Sequence, residues 1–575
     1  MKNSDFLLPL FAAAALLTGC GGSSGGSLQP ADPPMMDEPP QLPGSALLIL
    51  SSDLEDDSPI FILSSVEASN PGEATGSVAI TGLADNDILV GMDFRPATGD
   101  LYAVGRLGNL YVINPHTAVV ETTVALVAAP DSTPTFEALD GTHFGVDFNP
   151  VPDRLRVTSD TGQNLRINVD NGATLVDGPL DSGSGETRIT GSAYTNSFAG
   201  TTSTRLFNID TGEQMLYLQD PPNDGTLVNG VTLGIDADDA NGFVIDGRNN
   251  AAIAALTVNG QPGLYRIDLT AEADVASLIG TLNIPGTLLG IALAPPAPPV
   301  VIGLTRDNAL IEFAPGSPGM VSAPVTVTGL MEDGETLVGV DVRPATGELY
   351  GVSNLGNLYT VDAHSGVASF QAALVAAPDS GFDGLLGDDF AMDFNPVPDR
   401  LRLISDQGQN LRINVDNGET IVDGDIAYAE ESDLGGIEDI PLLGPLLGLI
   451  GSILLPEDDA AVPALTAAAY TNSFAGTATT QLFTLDTGND SLNLQNPPND
   501  GTQVPLTDTP IAISGDQGFD IIGGDNGLVL AALSGNGMGP YTLYSINLMT
   551  GAFTERGQIG GADGPALRGI TLQLR

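Results

Sequence analysis

The chain has 575 residues, of which 42% are hydrophobic and only 16% are charged, and it contains 71 glycines and 41 prolines. This length leaves room for two or more domains, and abundant glycine and proline between short apolar runs favour strands joined by tight turns. With 18 Lys and Arg against 72 Asp and Glu, the formal net charge is −54. Such a charge excludes nucleic-acid binding, because phosphate backbones would be repelled.

The N-terminus reads as a secretion signal. The apolar run from Phe6 to Leu17 is too short to span a bilayer. The segment that follows, Leu17-Thr18-Gly19-Cys20, resembles a bacterial lipobox, and Cys20 is the only cysteine of the chain. We therefore expect residues 1–20 to be a lipoprotein signal peptide and Cys20 to carry the lipid. The membrane would be a partner through this lipid, on the outer membrane of a Gram-negative cell envelope.

Residues 21–45 are rich in Gly, Ser and Pro and predict a flexible tether. After the tether the sequence is duplicated. Residues 145–172 and 391–418 are identical at 23 of 28 positions. The duplication predicts a first domain at 46–294 and a second at 299–575, joined by the stiff spacer APPAPP.

Within each copy a shorter pattern repeats about every 45–50 residues, as four alternating apolar strands separated by turn residues. About five such modules fit in each copy. The first module of each copy lacks one strand, which LLGIAL at 288–293 and LRGITL at 567–572 could supply. This pattern predicts an all-β fold of two tandem β-propellers, each with about five four-stranded blades. One ten-bladed propeller is the alternative.

Several of the repeated blocks resemble a known family. The segments FRPATGDLYAVGRLGNLYVINP, DFNPVPDRLRVTSDTGQNLRINVDNG and AYTNSF are similar to the DUF4394 family of bacterial secreted proteins. The resemblance covers nearly all of residues 46–575, in two tandem copies. It implies a propeller-like fold and, since the family has no established activity, no function.

The second copy carries an insert at about 425–460 that the first copy lacks. Its apolar part, PLLGPLLGLIGSILLP at 441–456, is too short and too interrupted for a spanning helix. An exposed apolar loop of this kind predicts either partner docking or contact with the membrane, and folding back over the first copy is the alternative.

The duplicated arginines are the first candidate ligand-binding group. Arg154 and Arg156 lie two apart on one strand, so they share a face, and Arg166 lies on the partner strand. Guanidinium groups placed together could bind a carboxylate or a sulfate, as in an acidic glycan. The alternative is that they pair with Asp147, Asp153 and Asp170 within the blade. The matching residues of the second copy are Arg400, Arg402 and Arg412.

The YTNSF motif and the acidic turns are the other candidates. Tyr194 and Asn196, repeated as Tyr470 and Asn472, could line a polar pocket or simply cap the core. Turns such as NVDNG and PPNDG could hold Ca²⁺, although none matches an EF-hand loop and Asp and Asn in turns mostly bond the backbone. The metal therefore stays unassigned, no cofactor is required, and Ca²⁺ is the one cofactor these turns suggest.

Catalytic motifs are missing from the sequence. It contains no H-E-x-x-H or P-loop motif and no G-x-S-x-G elbow, since the G-x-S-x-G pattern occurs only in the Gly/Ser-rich tether at 21–26. Only His116 and His364 among its three histidines align between the copies, in turns. We therefore expect a non-enzymatic binding or scaffold protein of the cell envelope with a protein or glycan partner. A secreted polysaccharide hydrolase or lyase, and a calcium-stabilised structural or adhesion protein, are the alternatives.

Overall fold

The repeated apolar segments form ten β-sheets in a computed structural model that describes residues 47–53, 59–130, 132–185, 187–429 and 462–574. Along most inner strands nearly every residue is buried, because both sheet faces pack against neighbouring blades. The outer strands are largely exposed. No helix in the described ranges is long and apolar enough to cross a membrane.

The first propeller contains strands β1–β21, arranged in five blades. Blade one has β1 Leu47–Asp53, β2 Ile60–Glu67, β3 Asn70–Ala79 and the late strand β21 Thr287–Leu293. Blade two has β4 Leu89–Phe94, β5 Leu101–Gly105, β6 Asn109–Ile113 and β7 Val120–Ala125. Blade three has β8 Val127–Ala128, β9 Phe144–Asn149, β10 Arg154–Ser159, β11 Asn164–Asn168 and β12 Ala173–Val176. Blade four has β13 Ile189–Tyr194, β14 Leu206–Asp210, β15 Met215–Gln219 and β16 Leu227–Thr232. Blade five has β17 Asp239–Ile245, β18 Ala252–Val258, β19 Gln261–Ile267 and β20 Ala276–Thr281.

The second propeller repeats this order with strands β22–β43. Blade one has β22 Val300–Thr305, β23 Ala309–Phe313, β24 Val325–Thr326 and the late strand β43 Leu567–Gln573. Blade two has β25 Leu337–Val342, β26 Leu349–Ser353, β27 Asn357–Val361 and β28 Ala368–Ala373. Blade three has β29 Val375–Ala376, β30 Phe390–Asn395, β31 Arg400–Ser405, β32 Asn410–Ile413 and β33 Glu419–Val422. Blade four has β34 Ala427–Tyr428, β35 Leu465–Tyr470, β36 Leu482–Asp486, β37 Ser491–Gln495 and β38 Thr502–Asp508. Blade five has β39 Gly518–Ile522, β40 Leu528–Leu533, β41 Thr542–Asn547 and β42 Ala552–Gln558. Two short 3₁₀ turns, Gly524–Asn526 and Gly561–Asp563, complete it.

Each ring is closed by its last strand. Strand β21 pairs antiparallel with β1, and β43 pairs antiparallel with β22. The inner strands β4, β9, β13, β17 and β21 pack in a closed circle, as do β25, β30, β35, β39 and β43. The prediction of two five-bladed propellers, each completed by a strand from the end of its own copy, is therefore confirmed.

The two propellers contact each other through a loop of the first. Phe198, in the loop after β13, is fully buried and belongs to an apolar cluster that otherwise consists of second-propeller residues such as Ile522 and Leu528. Next to it, the hydroxyl of Thr201 and the amide N–H of Thr202 both donate to the carbonyl of Gly527, each over 2.8 Å. The two rings therefore share a packed interface, and the loop after β13 supplies its apolar anchor.

Candidate functional site

One of the repeated arginines, Arg156, is buried in a network between blades three and four of the first propeller. Its guanidinium Nη1 donates to Asp177 over 2.6 Å and to Asn164 over 2.8 Å. Nη2 donates to Asn223 over 2.9 Å, and Nε to the Tyr194 hydroxyl over 3.1 Å. With only 1% of Arg156 exposed, its donors are used to join the two blades.

Arg166 and Arg154 of the same blade also bind groups of the protein. Arg166 makes a bidentate pair with Asp177, with Nε and Nη2 at 2.7 and 2.8 Å from its carboxylate oxygens. Arg154 donates from Nη1 to the backbone carbonyls of its own turn, Pro152 and Asp153. The predicted pairing with Asp147, Asp153 and Asp170 is therefore wrong. Asp177 is the carboxylate that binds Arg156 and Arg166, whereas Asp153 and Asp170 bind Arg95.

The second propeller repeats this network. Arg402 bonds Asp423, Asn410, Asn499 and the Tyr470 hydroxyl over 2.7–3.2 Å. The remaining two arginines are more accessible. Arg400 and Arg412 line a small cavity of about 120 Å³ together with Glu419, although Arg412 is already paired with Asp423.

The asparagine of each YTNSF motif shapes a turn. Asn196 has a positive φ of 55° and donates from Nδ2 to the carbonyl of Ser203 over 3.1 Å. Its backbone N–H is bound by the Asn250 side chain over 2.8 Å. Asn472 has a φ of 52° and bonds the Thr479 carbonyl in the same way. These asparagines hold the loop after the inner strand in shape, and neither of them is among the residues that line the mouth cavity described below.

The side chains of the acidic turns bind other groups of the protein. Asp170 of NVDNG binds Arg95 over 2.9 Å, while Asn223 of PPNDG binds Arg156. Gly172 ends the NVDNG turn with a φ of 72°, and a Cβ there would clash with the carbonyl oxygen of Ala125. The motif is thus explained by backbone geometry and arginine pairing.

Several predictions concern residues outside the described ranges. These are the signal peptide with Cys20, the tether at 21–45 and the apolar segment 441–456 of the insert. They stay predictions.

A second set of aspartates lies on the inner strands and is not among the residues predicted from the sequence. In the second propeller Asp341, Asp393 and Asp520 each offer a carboxylate oxygen within 4.8 Å of the others, and all three are buried. We call them the aspartate triad. The inner strands leave unpaired N–H groups along the ring axis, and the triad accepts from three of them. The donors are the amides of Phe394, Tyr470 and Leu572 on the next blades.

Burial and mutual repulsion raise the pKa values of the three carboxyl groups of the triad. Burial raises the pKa of Asp341 from 3.8 to about 7. Burial, followed by the negative charge of Asp341, holds the pKa values of Asp393 and Asp520 well above their usual range. The Thr571 hydroxyl lies between two of the carboxylates, 2.8 Å from Asp341 and 3.1 Å from Asp520. The raised pKa values favour the protonated forms, so a cation that balances the charge of the triad would compete with protons.

The first propeller has only part of this arrangement. Asp93 and Asp147 occupy the positions of Asp341 and Asp393 and bind the amides of Phe148 and Tyr194. At the positions of Asp520 and Thr571, however, the first copy has Val244 and Ala292. Ala294 and Pro295 of the spacer lie against this aspartate pair, and the cavity there holds only about 10 Å³.

The triad of the second propeller opens instead into a cavity of about 270 Å³, which we call the mouth cavity. Asp341 and Asp520 line it, with Phe474 and Gln573 from the same propeller. Arg248 and Asn249 of the first propeller also contribute. Because Arg248 is paired with Asp246 over 3.1 Å, its charge is already balanced by a carboxylate of its own loop.

The sequence does contain a signal for this site. Inner strands end in Asp-Phe, Asp-Val or Asp-Ile, and the strand pattern identifies these strands as buried. A charged residue in an otherwise apolar buried strand requires a partner. The signal is weak because Asp520 aligns with a valine in the first copy. A comparison of the two copies singles out the residues that they share, and these include the arginines but not Asp520.

Comparison with known proteins agrees with the repeated architecture. The model of the Domain of unknown function (DUF4394) matches residues 62–292, 309–439 and 451–571. A search of curated proteins gave no significant match. Among solved structures, a crystal structure of a protein from Lactobacillus plantarum is similar at 14% identity and a TM-score of 0.26. That match covers 65% of this chain and 96% of the other.

Proposed function

Since the chain belongs to the DUF4394 family, whose description names no activity, we propose a function from its own geometry: a non-enzymatic binding module that receives a cationic group in the mouth cavity. The observation that supports this is the cavity of about 270 Å³ between the propellers, lined by two buried carboxylates. Propellers are closed rings, so a ligand reaches the axis only at a mouth. In the first propeller the spacer lies against the buried aspartates, whereas in the second propeller Asp341 and Asp520 line the mouth cavity.

The charge of the ligand follows from the lining. Asp341 and Asp520 are buried and close to a third carboxylate, so they favour a positive group that relieves their repulsion. Arg248 contributes no free charge against this, because Asp246 balances it. The overall charge of −54 would steer cations towards the protein. Both an organic ammonium or guanidinium group and a divalent metal ion share this chemistry.

Binding can be measured by calorimetry at neutral pH and physiological salt with three probes: putrescine, arginine methyl ester and calcium chloride. We expect at least one of them to bind, and Asp520→Asn to weaken that binding by about tenfold or more, because it neutralises the carboxylate that the first propeller lacks. Which probe binds distinguishes an organic cation from a metal.

The first propeller offers the matched control. Asp147→Asn neutralises an equivalent buried carboxylate beneath the spacer, and we expect it to leave the affinity unchanged. Equal weakening by both substitutions would indicate general attraction to an acidic protein. That result, or no binding of any probe, would contradict the proposal.

We also propose that the protein works outside the cytoplasm, anchored through lipid on Cys20. The lipobox-like segment and the absence of any other cysteine support this. In cells fed a labelled fatty acid, the wild-type chain should carry the label and sediment with membranes. Cys20→Ser should remove both properties, and a labelled serine variant would show that the anchor lies elsewhere.

A further inference from the structure

A second cavity, of about 280 Å³, lies where the two propellers meet on the outer part of the last blade. We call it the junction cavity. Ser545, Asn547, Met549 and Arg556 of β41, β42 and the turn between them line it. Thr202 and Ser203 of the first propeller close one side. It is separate from the mouth cavity, with which it shares none of its lining residues.

Arg556 is unusual among the arginines of this acidic chain. Its Nε donates to the Ser545 hydroxyl over 2.9 Å, and no ion pair with an acidic side chain is found for it within the described ranges. Glu555 is next to it in sequence, but Glu555 pairs with Tyr544, on which its charge acts, whereas Arg556 lies at a β-bulge and bonds Ser545. The cavity thus contains a cation whose fork of terminal nitrogens is available to a ligand.

Comparing the copies shows that three positions differ together at this place. Arg266 in the first copy corresponds to Ser545 and Asp268 to Asn547. The pairing of β19 with β20 and of β41 with β42 makes Ile279 the counterpart of Arg556, each at the bulge of its strand. The serine makes room, the asparagine removes a negative charge, and the arginine adds a positive one. In the first copy the arginine is instead close to the charge of Asp268.

From this arrangement we propose that the junction cavity binds a small organic carboxylate with a short apolar tail. A carboxylate matches the planar fork of a guanidinium, and Asn547 adds an amide donor, since its Oδ1 already accepts from the turn after β41. The tail contacts Val529, Leu548 and Met549, which also line the cavity. Because the walls come from both propellers, the ligand would bind only when they are docked.

Hexanoate is a suitable probe, with hexylamine as the comparison of opposite charge, and binding can be followed by calorimetry. We expect hexanoate to bind the wild-type chain. Hexylamine carries the ammonium group that we propose for the mouth cavity, so any binding of hexylamine should be unchanged by the substitution of Arg556. Arg556→Ile, which introduces the residue of the first copy, should weaken hexanoate binding by about tenfold or more, as expected for the loss of a charge-assisted pair.

Two further variants test whether hexanoate binding depends on the cavity or only on the charge of the protein. Ser545→Arg retains Arg556 but fills the cavity with the side chain of the first copy, so hexanoate binding should be lost again. Arg266→Ser removes one arginine from the matching strand of the first propeller and should leave binding unchanged. The proposal is overturned if hexanoate does not bind, or if it binds Arg556→Ile as tightly as the wild type.

Discussion

At the scale of single residues, Arg156 shows what a buried guanidinium requires of its surroundings. Four polar side chains from two blades bind it, and those four residues come from motifs that both copies preserve. Because a buried charge without partners is costly, a network of this kind must be complete or absent. This explains why the copies agree most closely around Arg156 and Arg402.

The cost of an incomplete network can be measured at Asp177. Asp177→Asn leaves Arg156 and Arg166 without their carboxylate, and we expect the unfolding free energy of the first propeller to fall by about 3 kcal/mol. Urea unfolding followed by circular dichroism measures this. Asp170→Asn removes an exposed partner of Arg95 and should cost less than about 1 kcal/mol. Equal costs for the two variants would contradict the assignment of Arg156 to a buried structural network.

The aspartate triad predicts a pH dependence. The folded-state pKa of Asp341 is about 7 against 3.8 for the unfolded chain, and the pKa values of Asp393 and Asp520 are also raised. The folded protein therefore binds more protons than the unfolded one between pH 4 and 7, and its stability falls as the pH rises through this window. Unfolding midpoints measured at roughly pH 5 and roughly pH 7.5 should show the loss.

Asp520→Asn isolates the contribution of the triad, because the amide keeps an oxygen for the Leu572 N–H while removing one titrating group. We expect the difference between the two midpoints to shrink in this variant. Asp153→Asn, which removes a half-buried surface partner of Arg95, should not change it. An unchanged difference in Asp520→Asn would show that the pH dependence arises from the overall negative charge.

At the scale of strands, the last strand of each copy closes the ring of blades in its propeller. Removing residues 567–575 deletes β43, so that β22 loses its inner neighbour and the circle of inner strands opens. We expect proteolytic cleavage to increase within 300–566 while 59–293 stays protected. A chain lacking only residues 574 and 575 keeps the strand and should resist cleavage throughout. Equal resistance of both truncated chains would contradict closure by β43.

The strands could be predicted from the sequence, whereas the cavities between the propellers could not. Alternating apolar residues and turn signals identified the blades, and the missing first strand of each copy pointed to β21 and β43, because such an edge has to be paired. The cavities were not predictable, since they depend on how two rings dock. Arg556 and Ser545 lie 11 residues apart, but nothing local indicates that Thr202 completes their cavity.

At the scale of the whole molecule, the docking of the rings depends on a residue with unequal surroundings in the two copies. Phe198 is fully buried against the second propeller, whereas the equivalent Phe474 is half-buried and lines the mouth cavity. The same aromatic position therefore packs in the interface in the first copy and lines a cavity in the second.

The same asymmetry supplies a test in which each copy is the control of the other. Phe198→Ala removes the apolar anchor, and we expect a loss of about 3–5 kcal/mol in stability, as for other buried phenylalanines. Scattering should also report a larger radius of gyration, since the rings are held by fewer contacts. Phe474→Ala should cost clearly less and leave the radius unchanged, because that ring side chain is partly exposed already. If the two substitutions gave equal losses, the propellers would not depend on Phe198 for their docking, and the junction cavity would lose its structural basis.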